Sequence, residues 1–145
     1  LILKERKMSK FKVGYTTGVF DMFHVGHLNI LKKAKEQCEF LIVGVSTDEV
    51  VKNYKGRTPV IDYESRKAIV EAIKYVDLVV PQTSLDKLEA YKKYKFNALF
   101  HGDDWKGTGM YNEIEKKLAE VGVQVIFIKH TKGISSSMLR EKVNK

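Results

Sequence analysis

Apolar residues recur along this chain in two spacings that alternate from its beginning to its end. Short runs rich in β-branched and aromatic residues have the length of buried strands, and longer stretches with apolar residues every three or four positions are typical of helices. The predicted strands cover residues 11–16, 40–46, 77–81, 97–102 and 123–130. The predicted helices cover residues 27–37, 62–75, 86–95, 111–122 and 136–145.

Residues at the ends of these segments support several of the boundaries. Asp62 is placed as the N-cap of one helix, and Asp86 with Glu89 has the spacing of a capping box at the start of another. Gly122 is a helix-ending residue, and Pro81 closes a strand. The segments are therefore separate elements joined by short connections.

Strands that alternate with helices predict one α/β domain with an open, doubly wound parallel sheet. Parallel strands need crossover helices and are buried on both faces, so five strands and five helices give a sheet covered on both sides. A length of 145 residues suits a single domain. We assign the domain to residues 11–145 and interpret residues 1–10 as a leader or a cloning remnant.

Ligands of such sheets bind beyond the carboxyl ends of the strands, where the strand order reverses. The segments to search are therefore 16–27, 47–61, 101–110 and 130–140. Every unusual polar cluster of the sequence falls in one of them.

Composition narrows the class of protein. Hydrophobic residues make up 43% of the chain and charged residues 30%, and no apolar run is long enough to span a membrane, which excludes disordered and membrane-spanning classes. The net charge of +8 favours anionic partners, either nucleic acid or small phosphate esters, although most lysines occupy the polar faces of separate predicted helices. The single cysteine, Cys38, excludes an internal disulfide and suits a reducing, cytoplasmic setting.

The segment HVGH places His24, Gly26 and His27 at the start of a predicted helix. Free N–H groups and the positive end of the helix dipole favour an anion there, and Gly26 would let a phosphate approach the backbone. Two imidazoles on one face could stabilise a phosphoryl group that gains charge. The alternatives are a capping histidine beside a packed one, or half of a metal site; zinc would need further ligands, and we predict no protein-bound metal.

Three further clusters carry candidate chemistry. Lys52, Lys55 and Arg57 surround a glycine in a loop that either folds over a polyphosphate or is an ordinary basic surface loop. The glycine-rich segment 101–109 has two aspartates and the only tryptophan, which either recognise a base or cap the next helix. The segment 132–140 offers three serine hydroxyls at a helix start and then Arg140, more than one N-cap requires.

Together the motifs resemble the cytidylyltransferase branch of the HxGH nucleotidyltransferases, and most closely the small bacterial glycerol-3-phosphate cytidylyltransferases. The similarity runs from Phe11 to Arg140 and implies a Rossmann-like fold. Each motif is weak alone, but their order and spacing make the set specific. The motifs are GVFDMFHVGH, STDE at 46–49, ESRKAIVEAIKYVDLVVP at 64–81, GDDWKG at 102–107 and GISSSMLR at 133–140.

The resemblance implies roles for individual residues. The histidines stabilise the α-phosphate, segment 130–137 wraps the triphosphate, and the GDDW loop lies near the cytosine. The catalytic residues would be His24, His27, Lys55, Lys74 and Arg140. The nucleotide would bind Val19, Phe20, Gly26, Arg57, Asp104, Trp105, His130, Thr131, Gly133, Ile134, Ser135, Ser136 and Ser137, and the acceptor would bind Lys55 and Lys87.

Three positions depart from the family pattern. Lys74 stands where the family usually has a functional arginine, so the charge remains and the bidentate fork is lost. Arg57 occupies a position where lysine is common, and His130 one where the glycerol-3-phosphate enzymes usually carry arginine. These changes bear on the acceptor more than on the class of reaction.

The implied reaction joins CTP to a small phosphomonoester, with glycerol 3-phosphate first, and releases pyrophosphate. Magnesium would be held largely by the triphosphate and water. The resemblance also implies a cytoplasmic homodimer that supplies cell-surface polymer synthesis and binds neither nucleic acid nor membrane. The alternatives are an adenylyltransferase of the same superfamily, making FAD or dephospho-coenzyme A, and a non-catalytic nucleotide- or RNA-binding module.

Overall fold

The computed structural model describes residues 9–144, in which five strands form one parallel sheet. The strands are β1 Phe11–Gly18, β2 Cys38–Ser46, β3 Leu78–Gln82, β4 Ala98–Gly102 and β5 Gln124–Ile128. The helices are α1 Val25–Glu36, α2 Asp48–Lys55, α3 Tyr63–Glu71, α4 Lys87–Tyr94, α5 Gly109–Glu120 and α6 Ser136–Val143. A 3₁₀ turn, Asp103–Trp105, follows β4.

The strand order in the sheet is β3-β2-β1-β4-β5, and every neighbouring pair is parallel. The chain proceeds from β1 outward to β3 and then returns to place β4 on the other side of β1. The order therefore reverses between β1 and β4, which is where a doubly wound sheet opens its ligand crevice. The predicted fold class is confirmed.

Helices cover both faces of the sheet because alternate strand residues point to opposite sides. On one face, Leu41 and Val43 of β2 pack with Leu31 of α1 and Val70 of α3. The opposite core lies between the sheet and α4 and α5, and includes Tyr15, Ile42, Phe96, Leu99, Tyr111 and Leu118. Burial of each large apolar side chain stabilises the fold by about 1.5–3 kcal/mol.

The predicted boundaries differ from the observed ones mainly at two places. The helix predicted over residues 62–75 begins after its N-cap Asp62 but ends at Glu71, and residues after it continue in tight backbone turns that bring Ile73 and Val76 onto the core. The sequence contains no glycine or proline there to mark the end. The five predicted helices do not include α2, yet Thr47 caps a helix of eight residues there. Most of the proposed leader, residues 1–8, and the final residue 145 lie outside the described residues.

Candidate active site

A pocket of about 570 Å³ opens at the carboxyl edge of the sheet, the edge at which the parallel strands end. Its floor is formed by residues that end four neighbouring strands: Thr17 and Gly18 of β1, Ser46 of β2, Gln82 of β3 and His101 of β4. The pocket therefore spans the point where the strand order reverses, as the topology requires. Of the sequence-predicted residues, it is lined by Val19, Phe20, His27, Lys55, Arg57, Lys87, Asp104, Trp105, Ser136, Ser137 and Arg140.

The two histidines of HVGH close the first turn of α1 by capping each other's backbone. His24 is the N-cap, and its ring Nδ1 accepts a hydrogen bond from the Gly26 N–H at 3.0 Å. His27 returns the contact, because its Nδ1 accepts from the His24 N–H at 3.1 Å. The pair is a capping box built from imidazoles, and it fixes the two rings 3.9 Å apart between centroids.

The capping bonds also decide which ring nitrogen of each histidine carries the proton. A backbone N–H can only donate, so both Nδ1 atoms are acceptors and the neutral rings carry their protons on Nε2. Burial lowers the pKa of His24 and, with the neighbouring ring, lowers the pKa of His27 to about 4. Both rings are therefore neutral Nε2–H donors near pH 7, and the positive charge of the pocket comes from other side chains.

The structure shows that Gly26 makes room for the capping ring of His24. A Cβ atom at this position would lie 2.7 Å from Cε1 and 2.9 Å from Nδ1 of His24, so any side chain would displace the capping ring. The Gly26 N–H is already bound to that ring and is not a free donor for a phosphate. The glycine is therefore needed for the histidine pair.

Three cations meet at the mouth of the pocket around one buried anion. Lys55 is the last residue of α2, Arg57 lies in the loop that follows it, and Arg140 comes from α6. Burial, Arg140 and Arg57 lower the pKa of Lys55, and Asp21 acts in the opposite direction. Asp21 is only 3% exposed, and its carboxylate lies 3.5 Å from the Arg140 guanidinium. Cations gathered in this way suit a polyphosphate, as predicted for Lys55 and Arg57.

Lys87 is a buried cation on the inner wall of the pocket. It is the first residue of α4, is 6% exposed, and donates from Nζ to the Thr17 hydroxyl at 2.8 Å. No described carboxylate forms an ion pair with it. Burial lowers its pKa to about 8, so it remains mostly protonated at neutral pH. A buried charge without a protein partner is costly, and a ligand anion would relieve that cost.

The GDDW loop supplies an aromatic wall. Trp105 stands edge-on to His101, with the ring centroids 6.2 Å apart, and lies 5.9 Å from the ring of Tyr111. Burial lowers the pKa of His101 to about 4, so this ring is neutral. Asp104 lines the same part of the pocket with its carboxylate largely exposed. The wall can therefore stack a base beside a hydrogen-bond acceptor.

The segment 130–137 crosses the start of α1, and each of its serines has a partner within the chain. Ser135 caps α6 by accepting from the Met138 N–H, Ser136 donates to the Asp21 carbonyl at 2.5 Å, and Ser137 accepts from Arg140 at 3.1 Å. The same segment brings Thr131 against Asn29 and Ile134 against Gly26. Gly133 makes the preceding turn with a φ of +86°, a conformation that favours glycine.

Eight predicted residues do not line the pocket: His24, Gly26, Lys74, His130, Thr131, Gly133, Ile134 and Ser135. Two of them, His130 and Lys74, have surroundings of their own. The His130 ring and backbone N–H both contact Asp103, at 2.8 and 3.2 Å, and this carboxylate raises the pKa of His130. Lys74 is exposed, with Nζ 5.3 Å from the Tyr75 ring, three residues before Asp77. Asp77 pairs with Lys35 at the end of α1, so Lys74 lies at the opposite, amino edge of the sheet. Within one chain, the structure does not bring Lys74 to the other predicted catalytic residues.

Sequence reasoning missed Asp21, which lines the pocket, and Arg66, which lies buried behind the pocket and holds residues of its wall. Arg66 is fully buried and donates to the carbonyls of Val19, Ser46 and Ile61 and to the Asp48 carboxylate. The sequence could have indicated the burial of Arg66, because a residue four positions before Val70 lies on the core-facing side of the predicted helix. No comparable periodic signal marked Asp21.

The carboxylates near the pocket fit a magnesium ion that is bound largely by phosphate and water. Both oxygens of Asp21 accept backbone N–H groups, so they are not free ligands. Asp103, Asp104 and His130 bring their ligand atoms within 4.8 Å of one another, but imidazole is a poor magnesium ligand and Asp103 is bound to it. Asp104 remains as an exposed carboxylate in the pocket, and one carboxylate with substrate phosphates is a common magnesium environment.

Comparison with known proteins identifies the family. The sequence profile described as "Cytidylyltransferase-like" matches residues 15–142. The chain belongs to this family of nucleotidyltransferases. The match includes the histidine pair, Lys55 and Arg57, the aromatic wall and Arg140, so the pocket is formed by residues of the family domain itself.

Two curated relatives and one solved structure show the range of the similarity. The chain is 34% identical to glycerol-3-phosphate cytidylyltransferase of Staphylococcus aureus over 88% of this chain and 92% of that protein. It is 40% identical to FAD synthase of Pyrococcus abyssi over 77% of this chain and 75% of that protein. The lipopolysaccharide core biosynthesis protein of Thermoplasma volcanium superimposes with a TM-score of 0.70 at 27% identity, over 86% of this chain and 99% of that one.

Between residues 9 and 144, none of the helices combines the length and the apolar character that crossing a membrane requires. The longest, α1 and α5, have 12 residues each.

Proposed function

We propose that this protein transfers the cytidylyl group of CTP to a small phosphomonoester, with glycerol 3-phosphate as the preferred acceptor. The observation that carries this proposal is the reciprocal cap of His24 and His27, which prepares two neutral Nε2–H donors beside a cationic pocket. Donors held in place before the reaction are what a phosphoryl group gaining negative charge requires. The products are a CDP-alcohol and pyrophosphate.

The proposed step is a direct in-line displacement. An oxygen of the acceptor phosphate attacks the α-phosphorus of CTP, a new P–O bond forms, and the bond to the bridging oxygen of the β-phosphate breaks. The attacking phosphate is already an anion, so the step needs no general base. Lys55, Arg57 and Arg140 hold the polyanions in position, and the histidine pair stabilises the α-phosphoryl oxygens. Bound magnesium would neutralise part of the charge on the departing pyrophosphate.

The aromatic wall favours cytosine as the base. Trp105 provides a stacking surface, and the Asp104 carboxylate can accept a hydrogen bond from the exocyclic amine. Uracil would direct a carbonyl oxygen at the same carboxylate and leave both groups unpaired. A site that loses such a hydrogen bond discriminates strongly against the wrong base.

Lys87 favours an acceptor without a positive charge. Its ammonium group is buried, is bound only to the Thr17 hydroxyl, and faces the pocket. An amino-alcohol phosphate would bring a second cation into this low-dielectric region, whereas a polyol phosphate brings hydroxyl groups that can accept from the ammonium. Glycerol 3-phosphate meets this requirement better than phosphocholine or phosphoethanolamine. We further propose that the enzyme acts as a cytoplasmic homodimer supplying cell-surface polymer synthesis, as the resemblance implies.

Adenylyl transfer is the second candidate, because one relative, the Pyrococcus abyssi protein, is named FAD synthase. Pyrophosphate release distinguishes the two activities. We expect release with CTP and magnesium to exceed release with UTP or ATP by at least tenfold, and to require an added acceptor. Preference for ATP with FMN would replace the cytidylyl assignment, and no release with any nucleotide and acceptor would contradict both.

A second experiment tests the choice of acceptor by comparing the rate of pyrophosphate release with glycerol 3-phosphate and with phosphocholine at a fixed CTP concentration. We expect a preference for glycerol 3-phosphate that narrows in Lys87→Met and persists in the control Lys92→Met, an exposed lysine of the same helix. Equal use of both acceptors by the unmodified protein would contradict the charge argument while leaving the cytidylyl assignment in place.

A further inference from the structure

Two separate segments of the pocket wall meet on the side chain and backbone of Asp21. The first is the basic loop, residues 56–61, and the second is the C-terminal segment, residues 130–140. The Asp21 carboxylate accepts the Val60 N–H on Oδ2 at 2.8 Å and the Ile61 N–H on Oδ1 at 2.9 Å. The Asp21 carbonyl accepts the Ser136 hydroxyl at 2.5 Å.

Asp21 also holds the charges of the two segments near each other. The guanidinium of Arg140 lies 3.5 Å from the same Oδ2 that accepts the Val60 N–H. Asp21 opposes the lowering of the Lys55 pKa that Arg140 and Arg57 cause. One buried carboxylate therefore faces cations that would otherwise repel one another before the nucleotide arrives.

Besides Asp21, the C-terminal segment is held at its start by hydrogen bonds between His130 and Asp103 and between Asn29 and Thr131, and the basic loop has fewer contacts. Residues 56–58 of the basic loop are exposed, and the described hydrogen bonds of residues 57–61 are the two to Asp21 and one from Arg66 to the Ile61 carbonyl. The helix α6 has no buried residue among those described. A change at Asp21 is therefore transmitted to both segments, because neither is held firmly by the core.

We propose that Asp21 is a positioning residue that couples the basic loop to the C-terminal segment, so that the two close on the triphosphate as one unit. Asp21 does not touch the substrate in this role. It holds the loop that carries Arg57 and the helix that carries Arg140 at the same pocket. The role in catalysis rests on the proposed function, whereas the coupling itself is a property of the nucleotide-free protein.

Hydrogen exchange of the nucleotide-free chain tests the coupling without any need for turnover. In Asp21→Asn the amide has one acceptor oxygen in place of two and no charge, so we expect the amides of Val60 and Ile61 and the hydrogen-bonded amides of residues 130–140 to exchange at least tenfold faster. Amides of β1 and β4 should keep their protection. The control is Asp62→Asn, an exposed helix cap at which asparagine caps as well as aspartate. Faster exchange of residues 57–61 alone would overturn the proposal.

The kinetic consequence separates positioning from general damage. We expect Asp21→Asn to raise KM for CTP at least tenfold while kcat falls less than threefold, because the assembled site is still reached when CTP is bound. A loss confined to kcat would overturn the positioning role.

If Asp21→Asn does not fold, the variant Ser136→Ala tests the coupling instead. This change removes only the hydrogen bond that Ser136 of the C-terminal segment donates to Asp21. The coupling then requires faster hydrogen exchange in residues 57–61 as well. Exchange limited to residues 130–140 in that variant would contradict the coupling.

Discussion

The start of α1 is built by three residues with separate roles, His24, Gly26 and His27. The two rings close the helix with Nδ1 and keep Nε2–H for a ligand, so the helix cap and the proposed catalytic donors are the same side chains. Gly26 leaves the space that the His24 ring occupies. An imidazole at the start of a helix is a weak helix former, and the capping bonds offset that cost.

The contact between Gly26 and His24 predicts strong coupling between substitutions at the two positions. Gly26→Ala should lower kcat by about tenfold or more, because the new methyl group displaces the ring and small misplacements at a reacting centre are costly. In a His24→Ala background the same change should cost less than about threefold, since the ring is already absent. Steady-state pyrophosphate release from the four proteins of this cycle gives the coupling. If the fold-changes of the two single substitutions simply multiply in the double variant, Gly26 acts independently of the His24 ring. Gly26 would then serve to let a phosphate approach the backbone.

Lys87 gives the pocket a pH dependence whose sign follows from its burial. Its pKa is lowered to about 8, so the ammonium that we propose to bind an anionic acceptor is lost as the pH rises through 8. We expect kcat/KM for glycerol 3-phosphate to fall above about pH 8 in the unmodified protein. In Lys87→Met the ratio should be lower at pH 7 and lack this fall. If kcat/KM falls above pH 8 in the same way in both proteins, a group other than Lys87 causes the fall.

The same lowered pKa predicts how stability changes with pH. The folded state disfavours the charged lysine, so its penalty is fully present below about pH 8 and is relieved as the pH rises toward the ordinary lysine value of 10.5. The unfolding free energy of the unmodified protein should therefore rise relative to Lys87→Met between about pH 8 and 10. Urea unfolding of both proteins at several pH values measures the difference.

At the scale of elements, α3 holds the carboxyl edge of the sheet together through one side chain. The Arg66 guanidinium, which is fully buried, binds the Ser46 carbonyl at the end of β2 and the Val19 carbonyl just after β1, both at 2.7 Å. It also binds Asp48 at the start of α2 and the Ile61 carbonyl at the end of the basic loop. The ends of two strands and the helix that carries Lys55 are therefore fixed relative to one another.

Removal of this guanidinium should be costly because it leaves buried carbonyls without donors. We expect Arg66→Met to lower the unfolding free energy by roughly 3 kcal/mol or more. Lys67→Met is the matched control, since Lys67 is the next residue of α3 and is only partly buried; its effect should stay within about 0.5 kcal/mol. Denaturant unfolding measures both. If Arg66→Met has the same unfolding free energy as the unmodified protein, water replaces the guanidinium as a donor to these carbonyls without cost.

At the scale of the whole molecule, the sheet order brings distant cations to one edge. The chain carries a net charge of +8, and many of its lysines lie exposed on helices, as Lys32, Lys92 and Lys116 do. The cations that line the pocket come from α2, the basic loop, α4 and α6, which are far apart in sequence. The reversal of strand order between β1 and β4 gathers them over the ends of the central strands.

The sequence alone determined the fold class, the edge of the sheet at which the pocket lies and 11 of the residues that line the pocket. These followed because hydrophobic spacing sets the elements, and parallel strands ending at one edge bring their following loops together. Lys55, Arg57, Trp105 and Arg140 were found in this way, and the structure places all of them in one pocket.

Only the tertiary structure decided what depends on packing between distant residues. It showed that Gly26 makes room for a ring, that Asp21 joins two segments, and that Arg66 ties strand ends together. It also separated Lys74 from the pocket, because the residues just before β3 lie at the amino edge of the sheet. Spacing along a chain reports which face of an element a residue occupies, whereas the partner of a buried charge is set by whichever distant segment packs against it.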